Sequence, residues 1–106
     1  GMIHCIIGVS GSSPAYTYMY IDALAQAAQA KGMSREQAVE FAAQSVLGAA
    51  KMVLETGQPS QQLRDNVCSP GGTTIEAVKT LQQNGFADRL TEGFNACVRK
   101  SEDMSR

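Results

Sequence analysis

An all-α fold, a helical bundle of two long and about three shorter helices, is what this 106-residue sequence predicts, and three observations predict it. The apolar fraction is 43% while aromatic residues make up only 6% and Trp is absent. The core must therefore be built largely from Ala with Leu, Ile, Val and Met, which suit closely packed helices better than a sheet. Apolar residues recur at three- and four-residue steps along most of the chain. Finally, Ser34 with Gln37 and Thr73 with Glu76 each form a capping box, the pattern that starts a helix by satisfying its first free amides.

Residues 2–9 (M-I-H-C-I-I-G-V) read as the one extended, strand-like place. A first helix is predicted to begin at Pro14, whose missing N–H costs nothing at the first helical position, with Ser12 or Ser13 as its cap. Tyr18, Ile21, Leu24, Ala25 and Ala28 then repeat at helical spacing until Gly32 stops the helix. After Ser34, the residues Val39, Ala42, Ala43, Val46, Leu47, Ala50, Val53 and Leu54 mark a second long helix, ended by Gly57 and Pro59. At about 1.5 Å per residue it would be roughly 33 Å long. A chain this small cannot cover both sides of such helices, so a second copy is the expected cover.

A short helix is predicted over residues 58–68, with Leu63 and Val67 one turn apart. Ser69-Pro70-Gly71-Gly72 then breaks the pattern. Ile75, Val78 and Leu81 give the next helix its stripe, up to Asn84-Gly85. Phe86, Leu90, Phe94 and Val98 describe a last amphipathic helix, expected to fade into the polar tail over residues 100–106. The length allows one domain. Gly1 ahead of Met2 reads as a residue left by tag removal, so residues 1–12 are expected to be a tag remnant and a connection, and residues 13–106 the helical domain.

Nine Lys+Arg against ten Asp+Glu, scattered along the chain, leave a net charge of -1 and no basic stripe for a nucleic-acid backbone. Cys5, Cys68 and Cys97 are too widely spaced for a disulfide framework or a Cys-x-x-Cys metal site, which points to a reducing, cytoplasmic compartment. No apolar run approaches the ~18–20 residues that span a bilayer, so no membrane partner is expected.

The segment from Arg64 to Glu76 concentrates the possible chemistry. Gly71 and Gly72 let the backbone approach a ligand closely, just ahead of a helix start whose free amides and positive dipole end favour an anion such as a carboxylate. Each charge-assisted hydrogen bond there contributes ~1.5–3 kcal/mol, against roughly 0.3–1 kcal/mol from the dipole, so the amides decide. Hydroxyls of Ser69, Thr73 and Thr74 would add orientation. The same segment also reads simply as a turn plus a helix cap, with Glu76 as the capping-box partner. Residues 8–13 imitate a phosphate loop, but neither G-x-G-x-x-G nor G-x-x-x-x-G-K-[ST] occurs anywhere. His4 has no carboxylate placed to orient it for catalysis. Asp22, inside an otherwise apolar helix, must face water or find a partner.

Three blocks in order carry a resemblance: residues 11–16 (G-S-S-P-A-Y), 47–52 (L-G-A-A-K-M) and 63–75 (L-R-D-N-V-C-S-P-G-G-T-T-I). Together they are similar to the C-terminal half of pyrroline-5-carboxylate reductase, in which NAD(P)H gives a hydride to the C=N carbon of 1-pyrroline-5-carboxylate to form L-proline. The resemblance implies an all-helical domain interleaved with its twin in a homodimer that can assemble into larger rings. It implies that Ser69, Gly71, Gly72 and Thr73 surround the substrate carboxylate, held by backbone amides and a hydroxyl, and that the Thr74 hydroxyl, as the catalytic contact, hydrogen-bonds the ring nitrogen as it becomes an amine. Family members carry a separate dinucleotide-binding domain whose glycine fingerprint is not found here, so this chain alone is expected to bind no NAD(P)H, hold no metal and not turn over. The competing expectation is a stand-alone helical homodimeric interaction module whose Ser-Pro-Gly-Gly-Thr segment only caps a helix.

Overall fold

The computed structural model describes all 106 residues, Gly1–Arg106. It is helical throughout, with no strand: α1 (Ile3–Ile6), a π-helical turn (Ile7–Gly11), α2 (Ser13–Ala30), α3 (Arg35–Thr56), α4 (Ser60–Val67), α5 (Thr73–Gln83) and α6 (Phe86–Met104). Residue contacts divide the chain into two compact units, one of Gly1–Met19 with Thr80–Arg106 and the other of Tyr20–Lys79.

The first unit corrects the reading of the N-terminal segment: residues 3–11 are helical, not extended. A single strand would leave its ladder groups without partners, whereas a helix satisfies its own backbone. Helical winding also places Gly8, which is buried, under the ring of Phe94 from α6. The turn widens because of Pro14. In a regular α-helix its ring would press on the carbonyl of Ser10, four residues earlier. Instead, Ser12 N–H reaches back five residues to the Ile7 carbonyl at 2.7 Å. The expected serine cap is therefore absent, because α2 starts at Ser13 on a chain that arrives already wound.

Three stations on one face of α6 hold this segment. Phe94 covers Gly8, Cys97 Sγ lies 3.4 Å from Ser12 Oγ, and Ser101 Oγ lies 2.7 Å from His4 Nδ1. The polar tail was expected to fray, yet α6 continues to Met104, since Lys and Glu favour helix and Ser105 Oγ donates to the Ser101 carbonyl at 3.1 Å. With 19 residues, α6 is close in length to α2 at 18. A Cβ at Gly8 would sit 2.7 Å from Phe94 Cδ2 and Cε2. Gly8→Val is thus expected to cost about 1–3 kcal/mol by overpacking. Thermal denaturation should show the loss, and Phe94→Leu in the same chain should recover part of it.

In the second unit the stop of α2 and both ends of α3 follow their sequence signals, whereas Thr73 opens α5 as its first residue without the cap bond expected of its hydroxyl. Gly32 takes φ +102°, its amide donates to the Gln29 carbonyl at 3.0 Å, and Met33 N–H donates to the Ala28 carbonyl at 3.1 Å. This pair of bonds is a Schellman stop. Ser34 Oγ then accepts from Gln37 N–H at 3.2 Å to open α3, and Gly57 at φ +67° closes it. Asp22 finds its partner in Arg35, which also donates from Nη1 to Gln29 Oε1 at 3.2 Å and so ties α2 to the start of α3. Both charges are about half exposed, so the pair contributes only ~0.2–1 kcal/mol.

The buried hydrophobic side chains of the whole chain are Ala25, Ala38 and Ala42. Against them, Phe41 and Leu47 are 61% exposed and Leu54 is 83% exposed, all on α3. A chain with 43% hydrophobic residues thus encloses only three alanines by itself and leaves large apolar side chains of α3 on its surface.

Candidate functional site

The segment between α4 and α5 is a tight turn built by its own residue types. Cys68 N–H closes the end of α4 onto the Asp65 carbonyl at 3.0 Å, and Gly72 N–H donates to the Ser69 carbonyl at 2.9 Å. Between them, Pro70 supplies the fixed φ of a second turn residue, and Gly71, at φ +73°, supplies the left-handed third, the arrangement of a type II turn. Gly72 has a different reason to lack a side chain: a Cβ there would stand 3.1 Å from the Ser69 carbonyl oxygen.

This geometry revises the role read for Gly72. Its amide closes the turn and is not an open donor. The donors that remain belong to the first turn of α5, Thr73, Thr74 and Ile75, whose amides have no carbonyl one turn earlier within the helix. The hydroxyls of Ser69, Thr73 and Thr74 make no hydrogen bond within the chain. Ser69, Pro70, Gly71 and Thr73 are exposed, while Gly72 and Thr74 are half-buried. The loop and helix start therefore carry main-chain amides at the positive end of an 11-residue helix and three unengaged hydroxyls within six residues of one another. It carries no general base. The nearby Arg64 does not add a free cation, because its guanidinium lies 3.3 Å from Asp65 Oδ1.

A second polar cluster lies in the first unit. Tyr16 Oη is shielded from solvent and makes no hydrogen bond. Burial, and then the neighbouring Cys97, push its hydroxyl above the ordinary 10.0. A raised value favours the neutral phenol in the fold, so this group's contribution to stability is complete below pH 10.0 and is lost as the pH climbs beyond it. Alkaline titration followed by tyrosinate absorbance is expected to show a late component that disappears in Tyr16→Phe. The pairing of Tyr16 on α2 with Cys97 on α6 joins residues far apart in the chain and has no local sequence signal. His4, the sole histidine, is engaged with Ser101 and has no carboxylate beside it.

No helix is long and apolar enough to cross a membrane. Residues 1–104 match the family described as pyrroline-5-carboxylate reductase dimerisation. The pyrroline-5-carboxylate reductase of Escherichia coli K12 is 57% identical over 105 residues, which cover 99% of this chain and 39% of that protein. Pyrroline-5-carboxylate reductase 2 of Homo sapiens is 46% identical over 105 residues, covering 98% of this chain and 33% of the relative. The chain thus spans between a third and two fifths of the curated relatives' length. Among solved structures, a Coxiella burnetii pyrroline-5-carboxylate reductase superimposes with a TM-score of 0.94 at 40% identity, covering 99% of this chain and 39% of that one. The Plasmodium falciparum pyrroline carboxylate reductase, solved with NADP bound, gives 0.94 at 34% identity, covering 99% and 40%.

Proposed function

The chain belongs to the pyrroline-5-carboxylate reductase dimerisation family, and on that footing we propose that it forms the homodimerisation and substrate-binding part of an enzyme that reduces 1-pyrroline-5-carboxylate to L-proline with NAD(P)H. The observation that carries the reading is the start of α5. Open amides at Thr73 and Thr74 stand beside three unengaged hydroxyls on a turn that Gly71 and Gly72 keep free of side chains.

In this proposal the amides of Thr73 and Thr74 take the substrate carboxylate, with the Ser69 and Thr73 hydroxyls completing its shell. The carboxylate and the ring nitrogen are attached to the same carbon of the substrate, so a group one residue along the helix can meet the nitrogen. The Thr74 hydroxyl hydrogen-bonds it as it becomes an amine. What these residues supply is orientation of the C=N carbon toward a hydride donor, a proximity contribution with no nucleophile of their own. The donor when bound supplies the hydride. This chain's residues do not fit its dinucleotide, because the strand running into a glycine-rich loop that cradles a pyrophosphate has no counterpart in an all-helical chain. Turnover by these 106 residues alone is therefore not expected.

Titration of the 15N-labelled chain with L-proline tests the proposal. The amide signals of Thr73 and Thr74 are expected to shift, with an affinity on the order of millimolar, about −4 kcal/mol. Thr74→Ser should keep the response and Thr74→Val should weaken it. A well-folded dimer whose α5 amides ignore L-proline and cyclic carboxylate analogues would favour an interaction module without catalysis.

A further inference from the structure

We draw no further inference here: the strongest candidate, the apolar surface hollow formed by Met2, Cys5, Ile6, Val9 and Ser10 on α1 and the π-helical turn, is an unpartnered face, and nothing in the structure shows what covers it.

Discussion

Leu47→Glu combined with Leu54→Glu is expected to convert the dimer into a monomer that has lost most of its helix. The two side chains lie seven residues apart, two turns along one face of α3, and are 61% and 83% exposed. In a symmetric pair each appears twice, so four leucines would leave the apolar interface. At ~1.5–3 kcal/mol for each buried leucine, the pair would lose roughly 6–12 kcal/mol, more than four orders of magnitude in dissociation constant. Carboxylates left without partners in the same place would add to the loss. Because only Ala25, Ala38 and Ala42 are enclosed by one copy, a released chain has little core of its own, and folding and association should be one event. Sedimentation equilibrium should therefore report the monomer mass, and far-UV circular dichroism should report lost helicity. The parent chain should melt at a temperature that rises with concentration. A double variant that stays dimeric and helical would show that this face of α3 is not the shared one.

The helix ends that were legible in the sequence share one property: their chemistry is local. Gly32, Ser34, Gly57 and Gly85 act through φ or through a hydrogen bond to a residue at most five positions away, and the structure places helix ends at all four. The N-terminal segment was misread because its conformation depends on α6, over eighty residues later. Ile3, Ile6, Ile7 and Val9 favour strands when no neighbour is considered, whereas the contacts of Gly8 with Phe94, Ser12 with Cys97 and His4 with Ser101 seat the segment on α6 as a helix. A signal was present all the same. Pro14 strains a helix four residues upstream, and the small residues Gly8, Ser10 and Gly11 mark where a widened turn could absorb it. At the candidate site, Pro70-Gly71 announced the turn, and Thr73 the helix start. Which amide would be consumed in closing that turn was not legible, since Gly71 and Gly72 are chemically alike until the Gly72 N–H is seen on the Ser69 carbonyl.

That asymmetry between two adjacent glycines makes the sharpest test of the ligand reading. Gly72→Val is expected to abolish the response to L-proline while leaving the dimer and its helicity intact. A Cβ at residue 72 meets a backbone oxygen at 3.1 Å, and a backbone oxygen cannot swing aside as a side-chain tip can. The Ser69 carbonyl must give by a few tenths of an ångström, and because it holds the Gly72 N–H, the expected response is a shift at the start of α5. Two charge-assisted amide bonds contribute ~3–6 kcal/mol together, as much as the whole of a millimolar affinity at about 4 kcal/mol, so misplacing them removes measurable binding altogether. Thr74→Val acts differently: it keeps both amides and deletes one hydroxyl, a loss of ~0.5–1.5 kcal/mol for a neutral hydrogen bond, or roughly two- to tenfold in affinity. The ordering is the test. Amide shifts that vanish in Gly72→Val, weaken in Thr74→Val and persist in Thr74→Ser place the ligand on the start of α5. Equal affinity in all three variants would put any bound L-proline elsewhere on the molecule and leave the turn as a helix cap alone.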